Sequence, residues 1–168
     1  MANTYTLISS VTVGAGGASS IDFTSIPATY TDLLVKLSTR TTGAAVADVS
    51  LRFNSATTNY SYRDIEGNGS TAASYSGTSF LWAGEANRGD ATASTFANIE
   101  IYIPNYAGST NKSISVDSVT ENNGTLAYSD LIAGLWSNTS AITSISLLLS
   151  SGNHAQYSTA YLYGIKNS

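Results

Sequence analysis

Ile99-Glu100-Ile101-Tyr102-Ile103 is the clearest of several short segments in which apolar and polar residues alternate. The segments Ser113-Ile114-Ser115-Val116 and Ser144-Ile145-Ser146-Leu147 have the same two-residue period. Side chains on a β-strand point alternately to its two faces, so this period predicts strands with one face in a core and the other in solvent. Because almost no segment has a helical period, we expect an all-β protein.

Turn-forming residues determine how many strands the chain should contain. Clusters of Gly, Asn, Pro and Ser interrupt the alternating segments at intervals of roughly 8–14 residues. This spacing predicts one domain over residues 1–168, an antiparallel β-sandwich of about ten strands with a jelly-roll-like order. The stretch 54–77 is rich in Asn, Tyr, Ser and Gly. We expect an irregular, loop-rich insert there, with a strand-like piece over residues 60–65.

The composition argues against several classes of protein. Charged residues make up 11% of the chain, well below the usual quarter. Cys is absent, which excludes disulfides and thiolate metal sites. The net charge is −4 and the basic residues are scattered, so we expect no nucleic-acid partner. No apolar run approaches the ~18 residues of a membrane span. The first residues lack a secretion signal, so synthesis in a cytoplasm and no membrane association are expected.

Few residues offer reactive chemistry. The single histidine, His154, lies in a turn-like segment and is expected to be solvated rather than a catalytic base. Asp64 and Glu66 would share one face of a strand and could form a glycosidase-type pair, although a hydrated pair in a loop is the preferred interpretation. The segment 64–69 partly matches a calcium-loop pattern, but a polar turn is favoured. Arg88-Gly89-Asp90 predicts a tight turn with an internal ion pair. We therefore expect no enzymatic activity, metal or cofactor.

Aromatic residues are the best candidates for an interaction surface. The chain has eleven Tyr and four Phe, and Tyr combines an apolar ring with a polar tip, which suits interfaces and sugar-binding faces. Tyr60, Tyr62 and Tyr75 lie in the irregular middle of the chain and Trp82 follows closely. We predict that these four residues form an interaction surface. The alternative is that they pack on the rims of the sandwich.

Three segments carry a resemblance to a known group of proteins. They are Phe23-Thr24-Ser25-Ile26-Pro27-Ala28-Thr29-Tyr30-Thr31-Asp32-Leu33-Leu34, Leu51-Arg52-Phe53-Asn54 and Ala160-Tyr161-Leu162-Tyr163-Gly164-Ile165. In these features the chain resembles small virion proteins of marine tailed bacteriophages. The resemblance touches both ends of the chain. It implies a β-sandwich displayed on the particle, either on the capsid or in a tail or fibre, and it brings no catalytic residues.

The resulting expectation is a virion structural protein with no catalysis. The preferred role is a capsid decoration or cement protein that binds the major capsid protein, or other virion proteins, on the outside of the head as a homo-oligomer. One alternative is a receptor-binding or adhesin module of a tail fibre, in which Tyr60, Tyr62, Tyr75 and Trp82 stack on host surface glycans. No shaft-like segment precedes the first strand, which favours decoration. A second alternative, a glycan hydrolase, rests on the carboxylates alone.

Overall fold

The structure is a computed structural model that describes residues 4–124 and 126–166, and the described residues form twelve β-strands and no helix. The strands are β1 (Tyr5–Thr12), β2 (Ser20–Phe23), β3 (Asp32–Thr39), β4 (Ala47–Phe53), β5 (Tyr60–Gly67), β6 (Ala72–Gly77), β7 (Leu81–Ala86), β8 (Ala97–Ile103), β9 (Lys112–Val119), β10 (Ser129–Trp136), β11 (Ile145–Leu149) and β12 (Thr159–Ile165). Within these ranges no helix is long and apolar enough to cross a membrane.

The strands form two sheets of unequal width. The large sheet has eight strands in the order β1-β12-β3-β8-β9-β10-β5-β6, and the small sheet has four in the order β2-β11-β4-β7. Neighbouring strands in both sheets are antiparallel. The predicted all-β antiparallel sandwich is therefore confirmed, with twelve strands in the described residues where about ten were expected.

The core lies between the two sheets, and the two-residue period positions it. In β8 the residues Ala97, Ile99, Ile101 and Ile103 are buried, whereas the residues between them lie outward. The same alternation occurs in β4 and β9. Each buried side chain of this kind contributes about 1.5–3 kcal/mol through removal of apolar surface from water, which explains why the registers keep these residues on the inner faces.

The stretch 54–77 is more regular than the sequence predicts. It contains β5 and β6, which pair as a hairpin with Tyr62 opposite Gly77 and Gly67 opposite Ala72. The prediction of a loop-rich insert is thus corrected. The six residues of β6 (Ala, Ser, Tyr and Gly) have no strand pattern of their own, and they form a strand because they pair with β5. This hairpin extends the large sheet on the side where β7 is the edge of the small sheet.

Strand β7 lies very close to the large sheet. Gly84 has φ +90°, and a Cβ on it would lie 2.2 Å from Ser118 Oγ of β9. The register of β4 with β7 shifts between Asp48 and Ser50, which marks a bulge in β7. The missing side chain and the bulge together allow β7 to pack against β9, β10 and β5, and this contact creates the acidic cluster described below.

Candidate functional site

The outer face of the large sheet is the wider of the two outer faces, because it spans eight strands rather than four. Eight large apolar side chains of the described residues are exposed. Five of them lie on this outer face: Tyr5, Leu7, Ile65, Leu131 and Tyr161. Ile65, Leu131 and Tyr161 alternate with inward-facing neighbours, and Leu7 lies opposite Tyr163, which shares the face of Tyr161; Tyr5 is two residues from Leu7 on the same strand. Exposed apolar side chains concentrated on one face are typical of a contact surface.

One group of these residues, the tyrosine patch, lies at the β1 end of the face. It consists of the exposed residues Tyr5, Leu7 and Tyr161 together with two neighbours on the same face, the half-buried Tyr163 and the buried Leu34. Leu7 lies opposite Tyr163, which in turn lies opposite Leu34, so the three side chains form a row across three strands. The rings of Tyr161 and Tyr163 stack with their centroids 6.5 Å apart. The patch is therefore continuous over β1, β12 and β3.

An ion pair borders the tyrosine patch. Lys36 Nζ lies 2.5 Å from Glu100 Oε2, and both side chains are about half exposed. With residues of the patch they line a hollow of about 320 Å³. An exposed ion pair contributes little to stability, but it leaves this part of the face without net charge. A partner surface would therefore meet no charge repulsion here.

The other apolar group on the face, the aliphatic pair, consists of Ile65 and Leu131. They lie directly opposite each other on β5 and β10 and are 62% and 61% exposed. Nearby, small residues form a hollow of about 560 Å³ with Arg63 on its wall. A flat aliphatic contact and a shallow hollow are thus available at the β5 end of the same face.

The four aromatic residues singled out in the sequence do not form one surface. Tyr60 is buried: its hydroxyl oxygen accepts a hydrogen bond from Phe53 N at 2.9 Å, and its ring stacks on Trp136 with centroids 6.2 Å apart. Trp82 is 6% exposed. The prediction is corrected for both residues, because even-numbered residues of β5 face inward and β7 lies over them.

Tyr62 and Tyr75 differ from the two buried aromatics. Tyr62 is half-buried and its ring centroid lies 5.7 Å from those of Phe80 and Trp82. Tyr75 is 55% exposed because β6 is the edge strand of the large sheet. The structure thus brings Tyr62 and Trp82 together, places Tyr60 in the core and leaves Tyr75 as the one well-exposed member of the four.

An acidic cluster lies where β7 packs on the large sheet. It consists of Asp64 and Glu66 on β5, Glu85 on β7 and Asp130 on β10. Asp130 lies opposite Glu66 on one side and opposite Ser118 on the other. Glu85 N lies 3.5 Å from Ser118 Oγ, so β7 holds Glu85 over this row. The predicted pairing of Asp64 with Glu66 on one face is correct, but Asp64 is buried rather than hydrated.

The cluster contains carboxylate oxygens without partners. Both carboxylate oxygens of Asp130, Asp64 Oδ2 and Glu85 Oε2 are buried and have no hydrogen-bond partner among the described residues. Asp64 Oδ1 accepts a bond from Tyr75 N at 3.2 Å. The two ion pairs of the described residues lie elsewhere, in Lys36–Glu100 and Arg88–Asp90. The cluster therefore brings four carboxyl groups together without a cation paired to them among the described residues.

Burial changes the proton affinity of these groups. Burial, and secondly the neighbouring Asp130 carboxylate, raises the pKa of Glu85 to about 8. Burial also raises the pKa of Asp130 to about 7; the nearby Ser118 hydroxyl partly offsets this rise, and the carboxylates of Glu66 and Asp64 add to it. The pKa values of Asp64 and Glu66 are raised as well, mainly by burial. At neutral pH the cluster accordingly retains protons that exposed carboxylates would have lost.

The acidic cluster is closed to solvent at its unpartnered oxygens. Its unpartnered oxygens have almost no accessible surface, so a glycan could not reach them in this conformation. No group of three or more His, Asp or Glu residues in the described ranges could hold a metal ion. In the segment compared with a calcium loop, Asp64 lies within β5, and Asn68 Oδ1 accepts bonds from Ser70 N and Thr71 N. That arrangement is the expected polar turn.

His154 is buried, whereas the sequence predicts a solvated side chain. Its Nε2 donates to Leu147 O at 3.1 Å, and its Nδ1 accepts from Thr39 Oγ1 at 2.7 Å. Thr39 belongs to β3 and Leu147 to β11, so the ring connects the two sheets. Burial lowers the pKa of His154, and the neutral ring fits these two bonds. The histidine is a structural link.

The remaining comparisons with the sequence analysis concern one turn and the exposed apolar residues of the large sheet. The expected ion pair inside Arg88-Gly89-Asp90 is confirmed, with Arg88 Nη2 2.7 Å from Asp90 Oδ2. The sequence analysis did not identify Tyr5, Leu7, Ile65 or Leu131 as surface residues. The available signal was the alternation in β5 and β10, where each strand has apolar residues on both faces. Period alone does not decide which of two such faces is buried.

A scan against protein-family models and searches of curated proteins and of solved structures found no match. The fold and the surfaces above therefore carry the functional argument.

Proposed function

We propose that this chain is a bacteriophage virion structural protein that decorates the outside of the head. The observation that supports the proposal is the wide outer face of the large sheet, where the tyrosine patch and the aliphatic pair are exposed on a nearly neutral background. Its partners would be the major capsid protein or other virion proteins, and its location the virion.

The order of the strands supports a jelly-roll core. With β5, β6, β9 and β10 set aside, the sheets have the orders β1-β12-β3-β8 and β2-β11-β4-β7. Compared position by position, the two orders pair β1 with β2, β12 with β11, β3 with β4 and β8 with β7. The two strands of each pair are consecutive in the chain and lie in different sheets, so the chain crosses from one sheet to the other at each pair. Paired strands rolled up in this way characterise jelly rolls, which recur in viral capsid proteins as well as in lectins. This fold-level analogy supports a capsid role.

The proposed mechanism depends on many weak contacts. Full burial of Ile65 or Leu131 against a partner would contribute about 1.5–3 kcal/mol each, less the cost of association. Such a contact is modest for one copy, but a symmetric particle repeats it many times. The sparsely charged surface limits electrostatic repulsion between neighbouring copies. Decoration of this kind would hold capsid subunits together and raise the temperature at which heads disrupt.

The structure gives less support to the two alternatives. An adhesin that stacks glycans on Tyr60 and Trp82 would need these side chains at the surface, and both are buried. Tyr75 is exposed, so an adhesin that binds glycans through Tyr75 is the form of this alternative that the structure allows. A hydrolase would need the acidic cluster to open, because its oxygens are inaccessible.

A binding experiment with a matched pair of variants tests the proposal. Leu131→Lys places a charge on the outer face of the large sheet, and Ser146→Lys places the same charge on the outer face of the small sheet. Both proteins are mixed with undecorated heads of the phage that encodes the chain. We expect the wild type and Ser146→Lys to co-sediment with heads and raise their melting temperature, and Leu131→Lys to bind at least tenfold more weakly.

Three outcomes would contradict the proposal. One is a failure of the wild type to bind heads, and another is equal loss of binding in both variants. Immunogold labelling at the tail tip alone would also contradict decoration and would favour an adhesin. A glycan array would then test whether Tyr75→Ala abolishes carbohydrate binding.

A further inference from the structure

The edge strand β1 has the features of a self-association surface. It is eight residues long, contains no charged residue and no proline, and is exposed along most of its length. Natural proteins usually protect a free edge with Lys, Pro or a very short strand, because an open edge pairs with other chains. In β1 the register shift between Leu7 and Ser9 is the one protective feature of this kind.

Hydrogen bonds at the two ends of β1 define which of its backbone groups are free. Val13, directly after the strand, donates to Ser158 O at 2.8 Å and accepts from Tyr157 N at 3.0 Å, so both its polar groups point toward the β12 side. Backbone polar groups alternate in direction along a strand. Ser10 and Thr12 therefore direct their N–H and C=O groups toward the open edge.

The same reasoning applies before the register shift. Lys166 N donates to Thr4 O at 3.3 Å, so the C=O of Thr4 points toward β12 and the polar groups of Tyr5 and Leu7 point away from it. The side chains of Tyr5 and Leu7 belong to the exposed tyrosine patch. The open edge thus combines backbone groups that have no neighbouring strand among residues 4–124 and 126–166 with exposed apolar side chains along its outer rim.

The other sheet edges are less suited to pairing. β2 has four residues and includes Asp22, whose carboxylate accepts a bond from Ser20 Oγ. β7 is bulged and largely buried by the large sheet. β6 has six residues, so it offers a shorter edge than β1. Among the edges that the structure describes, β1 is the longest and the most accessible.

We propose that β1 pairs antiparallel with β1 of a second copy of this chain, which joins two large sheets into one continuous sheet. An antiparallel contact of a strand with its own copy is self-complementary under a two-fold axis, so one surface serves both partners. With the axis perpendicular to the sheet, both outer faces point to the same side. The two tyrosine patches then meet and form one apolar surface across the dimer.

This dimer is expected to be weak, because an edge-to-edge contact is smaller than the about 800 Å² per partner of a standard interface. The inference is independent of the role on the particle, since it concerns the isolated protein in solution. It also gives a reason for the position of the tyrosine patch beside an open edge, since pairing would cover the exposed sides of Tyr5 and Leu7.

Sedimentation velocity of the purified chain over a concentration series tests the dimer directly. We expect the mass to rise from 17.5 kDa toward twice that value with increasing concentration. Ser10→Pro should remain monomeric, because proline removes an N–H that points to the open edge and fits the edge of a folded sheet. Ser76→Pro on the exposed edge strand β6 is the matched control and should dimerise like the wild type.

Cysteine crosslinking locates the contact, and the absence of native Cys makes the result simple to interpret. Residues directly opposite each other in an antiparallel pair have Cα atoms about 4.5–5.5 Å apart, which allows a disulfide. We expect one or two of Leu7→Cys, Ser10→Cys and Thr12→Cys to form an oxidised dimer, with the reactive position marking the axis. Ser76→Cys should not. A monomer at all concentrations, a dimer that persists in Ser10→Pro, or crosslinking through Ser76→Cys instead of β1 would overturn the proposal.

Discussion

Replacement of Asp130 by Asn should stabilise the protein at pH 8 and much less at pH 5. Burial keeps the pKa of Asp130 near 7, whereas an exposed Asp has a value of 3.8. Between these two values the folded protein retains a proton that the unfolded chain has lost, so the free energy of unfolding falls as pH rises. Full ionisation of the buried group corresponds to a cost of ~4 kcal/mol at most. Relaxation and water penetration reduce this to ~2 kcal/mol.

The assay is urea denaturation of the wild type and Asp130→Asn at pH 5, 6, 7 and 8. The difference between the two proteins reports the ionisation of Asp130 together with its effect on Glu85, whose pKa the Asp130 carboxylate raises. Titrating groups outside the acidic cluster contribute nearly equally to both proteins. Asp117→Asn removes one exposed carboxylate from the neighbouring strand β9 and serves as the control for charge alone. We expect Asp130→Asn to gain ~2 kcal/mol over the wild type at pH 8. A difference that does not change with pH, or a variant that is less stable than the wild type at pH 8, would refute the reasoning about the acidic cluster.

Three other substitutions have expected outcomes that follow from single contacts. His154→Ala should lower the free energy of unfolding by ~3 kcal/mol in urea, because it breaks a buried link between the sheets. Burial lowers the pKa of His154. Its contribution to the free energy of unfolding is therefore fully present above pH ~6.5, where the imidazole is neutral in both the folded and the unfolded protein, and is lost as pH falls. The destabilisation caused by His154→Ala should accordingly be smaller in acid. Gly134→Ala should lower the melting temperature by several degrees, since its Cβ would lie 2.5 Å from a side-chain carbon of β7, while Gly67→Ala, with nothing within 4 Å, should not. Tyr60→Phe should cost ~1 kcal/mol in chemical denaturation, because its hydroxyl accepts the bond from Phe53 N.

Strand β8 illustrates which parts of the fold can be predicted from sequence. Its apolar residues all occupy one phase of the two-residue period, and that phase is buried. In β5 both phases carry apolar residues, with Tyr60 and Tyr62 on one face and Ile65 on the other. The face that packs against β7 is buried even though it includes Asp64 and Glu66, so the aliphatic Ile65 is left in solvent. The sequence analysis accordingly misplaced Tyr60 and missed the aliphatic pair.

His154 shows the same limit for a single residue. A lone histidine between Gly, Asn and Ala has the local signature of a surface turn. Its hydrogen-bond partner Thr39 is 115 residues away in the chain, and this pairing exists because β3 and the β11–β12 connection meet at one end of the sandwich. The carboxylates of the acidic cluster are likewise brought together by β5, β7 and β10, which are distant in sequence.

The order of amino acids by itself determined that this chain forms strands and where most of them begin and end, because the two-residue period and the turn residues act over a few neighbouring positions. It also determined a sparsely charged protein, with a net charge of −4 and no cysteine chemistry. Only the tertiary structure decided which face of β5 and β10 is buried, which carboxylates share a cluster and which edge stays open. Those properties arise from contacts between distant strands, and a local pattern carries no information about which strands will meet.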